Sequence, residues 1–174
     1  MKTKAYVIVA ITLVLSTVVI SLVKAEEIDI IAKVSRVIDG DTFDTTSGDR
    51  IRLADIDAPE RGEYGYGDAK QCLEDLIEGK TVYLDVDDIY RTDPYGRLVC
   101  VVYVKHGSNY YKNVNKALLI EGVAVISNYY NEFNPHSWTL YVDKDVIPEF
   151  SSFLPLLFIT VTLIVLLLKV GARK

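Results

Sequence analysis

IDIIAKVSRVIDGDTFDTTSGDRIRLA, residues 28–54, decides the fold of this chain. Its first ten residues are rich in β-branched side chains and read as a strand. Phe43–Thr46 continue as a short strand, Ser47-Gly48-Asp49 is a turn signal, and Arg50–Ala54 runs back as a third strand. Links this tight make the three an antiparallel meander. Downstream, Ala69, Cys72, Leu73, Leu76 and Ile77 recur at helical spacing within Asp68–Glu78, with Asp68 as the expected N-cap and Gly79 just past the end. Val82, Leu84 and Val86 alternate with Thr81, Tyr83, Asp85 and Asp87, the pattern of a half-buried strand. A polar loop, Asp88–Arg97, leads to a final strand, Leu98–Lys105, and a short helix, Asn113–Glu121, ends at Gly122. The expected class is mainly β with helices (α+β). Five short strands interrupted by a helix suit an OB-type Greek-key barrel with two or three helices, although periodicity alone admits another α+β arrangement.

The barrel is flanked by two apolar membrane segments. Lys2 and Lys4 precede an apolar run from Ala5 to Val23, and Val23-Lys24-Ala25 offers the small residues a signal peptidase prefers. Residues 1–25 therefore read as a signal peptide or, since the run is long enough to span, as an uncleaved anchor. Phe150 to Leu168 carries no charge and is followed by Lys169, Arg173 and Lys174, which places the basic end in the cytoplasm and the middle of the chain outside. The positive mean hydropathy of +0.20 comes from these ends. They leave 26–145 as one domain and 146–174 as the tail.

Residues 26–148 hold 13 Lys and Arg against 23 Asp and Glu, a net of −10. Such a surface excludes tight binding of nucleic acid by neutralisation of many phosphates; any grip must be local. Cys72 and Cys100 are compatible with a disulfide outside the cytoplasm or with two buried thiols, since both occupy apolar positions. His106 and His136 lack ligand spacing and read as surface residues, and Trp138 reads as a packing residue.

Three stretches concentrate chemically able side chains: Ile38-Asp39-Gly40-Asp41-Thr42, Arg52-Leu53-Ala54-Asp55-Ile56-Asp57-Ala58-Pro59-Glu60, and Arg91-Thr92-Asp93-Pro94-Tyr95-Gly96-Arg97. Pro59 fixes a turn from which Glu60 projects, and a fixed carboxylate beside Arg52 can orient and deprotonate a water. Asp41 and Asp57 offer two hard oxygen ligands, which select Ca²⁺ or Mg²⁺ over Zn²⁺. Each carboxylate alone is an ordinary turn residue, and each arginine alone an ordinary surface ion pair.

Together, the three stretches resemble the staphylococcal nuclease (thermonuclease-like) family, in which they occur in this order, and the likeness covers roughly residues 31–130. The resemblance implies Asp41 and Asp57 as carboxylate ligands to Ca²⁺, with Mg²⁺ second, and Ala58 as a ligand through its backbone carbonyl. It implies Glu60 as general base, Arg52 and Arg97 as phosphate-binding catalytic arginines, Tyr95 beside the nucleotide phosphate, Tyr130 against the base, and Asp39 just behind the metal. It further implies a monomeric endonuclease hydrolysing single-stranded or frayed DNA and RNA at the P–O5′ bond, leaving 3′-phosphates, with little sequence preference. Ala58 stands where Thr is usual, Pro94 where a basic residue is common, and Asn128 where a second tyrosine is often found. The bracing C-terminal helix is poorly supported by NEFNPHSWTLYVDKD.

Ile147-Pro148-Glu149-Phe150, the apolar span and the basic end resemble the archaeal PEF-type sorting signal. That resemblance implies processing by an archaeosortase-type transpeptidase, whereas a plain C-terminal anchor is the simpler alternative. Either one holds a secreted domain at the outer face of the membrane. The rival to a nuclease is a catalytically inactive OB-type module that binds nucleic acid or protein.

Overall fold

The β-branched run forms β1 (Ile30–Val37), and its two halves serve different neighbours. Ile30–Lys33 pair with β5 (Thr81–Val86), while Val34–Val37 pair with β2 (Thr42–Thr45). The register slips between Val34 and Arg36, and this bulge bends β1 so that one strand serves two walls of a barrel. β3 (Arg50–Leu53) returns antiparallel to β2 and then lies parallel to β6 (Leu98–His106). That parallel contact joins the ends of the series β3-β2-β1-β5-β6 into a closed five-stranded barrel, as expected for the OB type. The computed structural model describes residues 28–144. The two apolar ends, with the signal-peptide, anchor and sorting-signal expectations that fall on them, lie outside the described residues. Among the described residues no helix is long and apolar enough to cross a membrane.

Helix α1 (Tyr66–Ile77) packs Ala69, Leu73 and Ile77 into the barrel core with Phe43, Ile51, Leu53 and Ile56. Two details differ from expectation. The helix begins two residues early, capped by Gly65 in the left-handed region (φ 90°), so Asp68 sits in the first turn and is not the cap. The strands also number nine among the described residues, since four short ones join the predicted five. β7 (Tyr110–Asn113) turns back on β6, and β9 (Tyr141–Asp143) pairs with β7. β4 (Ile56–Asp57) and β8 (Val125–Ile126) form a separate two-stranded ladder. Helix α2 (Val114–Ile120) starts where the Asn113 side chain accepts a bond from the Lys116 N–H at 2.9 Å. No third helix braces the barrel among the described residues.

β6 explains how this extra sheet is carried. Cys100, Val102 and Val104 point into the barrel, while Val101 and Tyr103 point into a second cluster with Ile28, Ala54, Tyr111 and Val142. A strand buried on both faces reads as a continuous apolar run, as Leu98–Val104 does. Trp138 packs against both clusters, as its reading as a packing residue requires. Cys72 and Cys100 are both free, so of the two readings open for them the thiol holds and the disulfide does not. Burial raises the pKa of each thiol and keeps it protonated.

Candidate active site

Sheet register delivers the first half of the site. Thr42 on β2 lies opposite Arg52 on β3, and Arg52 in turn lies beside Val99 on β6. Arg97 immediately precedes β6. The Asp93 carboxylate closes the turn before it, accepting from the Tyr95 and Arg97 N–H groups at 2.9 and 3.0 Å. The arginine of one loop thus meets the arginine of one strand across Thr42.

The side chains form a continuous line. Arg97 Nε donates to Asp93 at 2.6 Å and its Nη1 donates to the Thr42 hydroxyl at 3.3 Å. Thr42 donates to Asp41 at 2.9 Å, and the other Asp41 oxygen accepts from the Ala58 N–H at 3.0 Å. Arg52 lies 3.2 Å from Asp41 and 3.0 Å from Asp57, and also donates to the Leu53 and Ile56 carbonyls, each at 2.8 Å. Asp39 accepts from the Asp41 N–H at 3.2 Å, behind the carboxylate that it helps to orient. Gly40 is required between them: a Cβ there would lie 2.6 Å from the Ala58 Cβ and 2.7 Å from the Ala69 Cβ. The loop is therefore clamped between α1 and the turn that carries Ala58.

The electrostatics centre on Asp41. Burial raises its carboxyl to about 6, against the lowering pull of Arg52 and the Ala58 N–H. At Asp93, burial also pushes upward, but the bonds from Arg97 outweigh it and hold the carboxyl below its ordinary value. Asp41 and Asp57 converge on one guanidinium and offer only hard oxygen, and a buried carboxylate whose charge is penalised by desolvation gains most from a nearby cation. The donor set therefore fits a hard divalent ion. It has two carboxylates, not three: among the described residues no group of three or more His, Cys, Asp or Glu side chains is placed to hold a metal.

The second half of the site is borne on loops. Arg52, Arg97, Tyr95 and Tyr130 open onto a cleft of about 610 Å³ between the 87–97 and 129–131 loops. Glu60 does not line it; it is exposed just after Pro59, with its N–H donating to Glu63 at 2.7 Å. Asp57 and Ala58 line a separate, shallower groove with Glu63 and Val123. The predicted residues thus fall into an interlocked group at the ends of β2, β3 and β6 and an exposed group around it.

Sequence reasoning missed the residues that hold these loops. Asp55, 2% exposed and with φ 54°, accepts from the Tyr129 N–H at 3.2 Å and from the Asn131 amide at 2.6 Å. Asp87, 1% exposed, accepts from the Tyr90 N–H at 2.8 Å and the Glu132 N–H at 3.2 Å. Asn115 ties the Val102 N–H to the Ala54 and Cys100 carbonyls. The positive φ at a non-glycine residue is invisible in the sequence, but Asp55 between the apolar Ala54 and Ile56, and Asp87 at the end of a strand pattern, were the signals available.

A closed OB-type barrel with arginines and carboxylates gathered at the start of β2 and the end of β3 is the setting in which relatives become informative. The profile described as "Staphylococcal nuclease homologue" matches residues 50–145, more than half of the chain, and the chain belongs to that family. Members of the family generally depend on a divalent metal ion. The chain is 36% identical over 111 residues to a micrococcal nuclease of Shigella flexneri, covering 60% of this chain and 62% of that protein. It is 37% identical over 107 residues to an uncharacterized endonuclease of Escherichia coli O157:H7, covering 59% and 65%. It is 34% identical over 118 residues to an SPbeta prophage-derived endonuclease of Bacillus subtilis, covering 63% and 36%. The chain thus spans less than two thirds of the length of each of these relatives.

Proposed function

We propose that this protein is a Ca²⁺-dependent endonuclease hydrolysing phosphodiester bonds of single-stranded DNA and RNA, with 3′-phosphate products and little sequence preference. The observation that carries this reading is the unbroken line Arg97–Thr42–Asp41–Arg52–Asp57, which holds two guanidiniums and two carboxylates together on one end of the barrel. The nuclease names of its relatives support it.

Asp41, Asp57 and the Ala58 carbonyl would hold the ion, which when bound supplies positive charge to the phosphoryl oxygens. Arg52 and Arg97 bind the scissile phosphate, and their planar forks match its oxygens better than an ammonium would. Both are preorganised by carboxylates, so little ordering remains to be done as charge builds. Glu60, on its exposed turn, takes the proton from the attacking water. Tyr95 packs near the phosphate, its ring 5.3 Å from the Arg97 guanidinium carbon, and Tyr130 packs against the base.

Secretion, retention at the outer face of the membrane by the C-terminal span, and processing of the PEF-type motif complete the proposal; the sequence pattern of the ends supports these. One observation favours a second reading, an inactive binding module: Glu60 lies outside the wall of the cleft that exposes the arginines. Incubating the full-length chain with denatured DNA separates the two. Release of acid-soluble nucleotides with Ca²⁺, abolished by a chelator, is the expected result; binding without release would establish the module instead.

A further inference from the structure

The exposed aromatic surface of this acidic domain is concentrated around one cleft. Tyr90, Tyr95, Tyr129 and Tyr130 are 57%, 84%, 66% and 78% exposed and all border it. Two of them, Tyr95 and Tyr130, already have places in the reading above. Tyr90 and Tyr129 do not, yet the fold spends its buried acids on them. Asp87 holds the Tyr90 N–H at 2.8 Å, and Asp55 holds the Tyr129 N–H at 3.2 Å. A buried carboxylate is tolerated only where its bonds offset desolvation; here those bonds fix two tyrosine-bearing loops that border the cleft and adjoin at Asp87, which also accepts from the Glu132 N–H. The rings of Tyr90 and Tyr130 meet edge to face, 6.2 Å apart and 68° between planes. That approach leaves no slot between them, so a flat ligand would lie on their outer faces.

We infer that Tyr90 and Tyr129 form a base-stacking platform that seats unstacked bases of a single strand whose phosphate is held by Arg52 and Arg97. This rests on the nuclease reading and deepens it by naming how the strand is gripped. The reason for aromatic grip is the charge. A domain at −10 cannot draw a polyanion by its overall field, and the cleft wall carries two arginines and no lysine. Stacking is indifferent to net charge and to base identity, and it is available only to bases freed from a duplex.

The test measures binding of a fluorescein-labelled 12-nucleotide DNA strand to the full-length chain by anisotropy, with a chelator present to prevent cleavage. Tyr90→Ala and Tyr129→Ala should each weaken binding about fivefold or more, the effect of losing one base stack. Tyr90→Phe, which keeps the ring, should stay within about twofold of wild type. Tyr64→Ala, an exposed tyrosine away from the cleft, should leave the affinity unchanged. The plot of log affinity against log salt should have a slope near −0.7, that of the one phosphate that Arg52 and Arg97 neutralise on a single strand (about 0.7 per phosphate). Wild-type affinity in both alanine variants, or a slope steeper than about −4, overturns the platform while leaving hydrolysis by the wild type untouched. A wild type that neither binds nor cleaves the strand overturns the nuclease reading as well.

Discussion

The two halves of the site are built differently. Thr42 and Arg52 are placed by strand register, Asp41 is held just before β2 by Thr42 and the Ala58 N–H, and Arg52 alone contacts two carboxylates and two carbonyls. Glu60, Tyr95 and Tyr130 are exposed and stand on loops. The interlocked half carries stability and chemistry together, so a change there damages both. The exposed half carries chemistry or grip with little stability, so a change there should leave the fold intact.

Arg52→Ala is the strongest way to expose this difference. In the proposed mechanism it removes a phosphate ligand, for an expected loss of about 10²–10³-fold in rate. It also leaves the buried Asp41 carboxylate without its cation, a change that typically costs about 3–5 kcal/mol. Urea unfolding should show the second effect and single-turnover cleavage the first; a variant as stable as wild type would mean that the pair is not structurally coupled. Glu60→Gln should separate the two effects: a rate loss of at least about a hundredfold, as expected for a general base, with an unchanged unfolding midpoint. Substantial destabilisation by Glu60→Gln would erase the distinction between the halves.

Smaller effects sharpen the comparison. Gly40→Ala places a methyl group into Ala58 and Ala69 and should cost about 1–3 kcal/mol by overpacking, with Ca²⁺ affinity falling as the turn around Ala58 shifts. Retention of both wild-type stability and affinity would show that the loop is not clamped. The smallest effect is acidic. Asp93 has a folded carboxyl value below its ordinary 3.8, so its contribution to stability is complete above that pH and is lost as the pH falls through the lower folded value. The stability advantage of wild type over Asp93→Asn should therefore shrink below pH 3.8; a difference constant from neutral to acid pH would contradict the Arg97 pairing.

The same division governs what could be read from residues alone. β1, β5, β6 and α1 followed from β-branched content, apolar alternation and helical spacing, and the four-residue β2 and β3 followed from the turn signal Ser47-Gly48-Asp49 between them. The β6–β7 turn, the β4–β8 ladder and β9 did not, since strands of two to four residues carry no period and are held by partners far along the chain. Asp41, Arg52 and Arg97 were legible as motif residues, and the structure brings them together. Thr42 and Asp93 stood in the quoted motifs without a role, because their importance lies in fixing Arg97: Asp93 pairs with its guanidinium and Thr42 links it to Asp41. Asp55 and Asp87 were not singled out: each binds a distant loop, through the Tyr129 N–H and the Asn131 amide in one case and the Glu132 N–H in the other, which no side-chain pattern announces.

The central claim is that the interlocked arginine and the exposed carboxylate act on one phosphate. Single-turnover cleavage of a 5′-labelled single strand with saturating Ca²⁺ measures this directly in Arg52→Ala, Glu60→Gln and the double variant. Groups acting as a unit are non-additive, so the double variant is predicted to cleave about as slowly as the slower single one. A rate reduced by the product of the two single effects would show that Arg52 and Glu60 do not share a site, and would contradict the account.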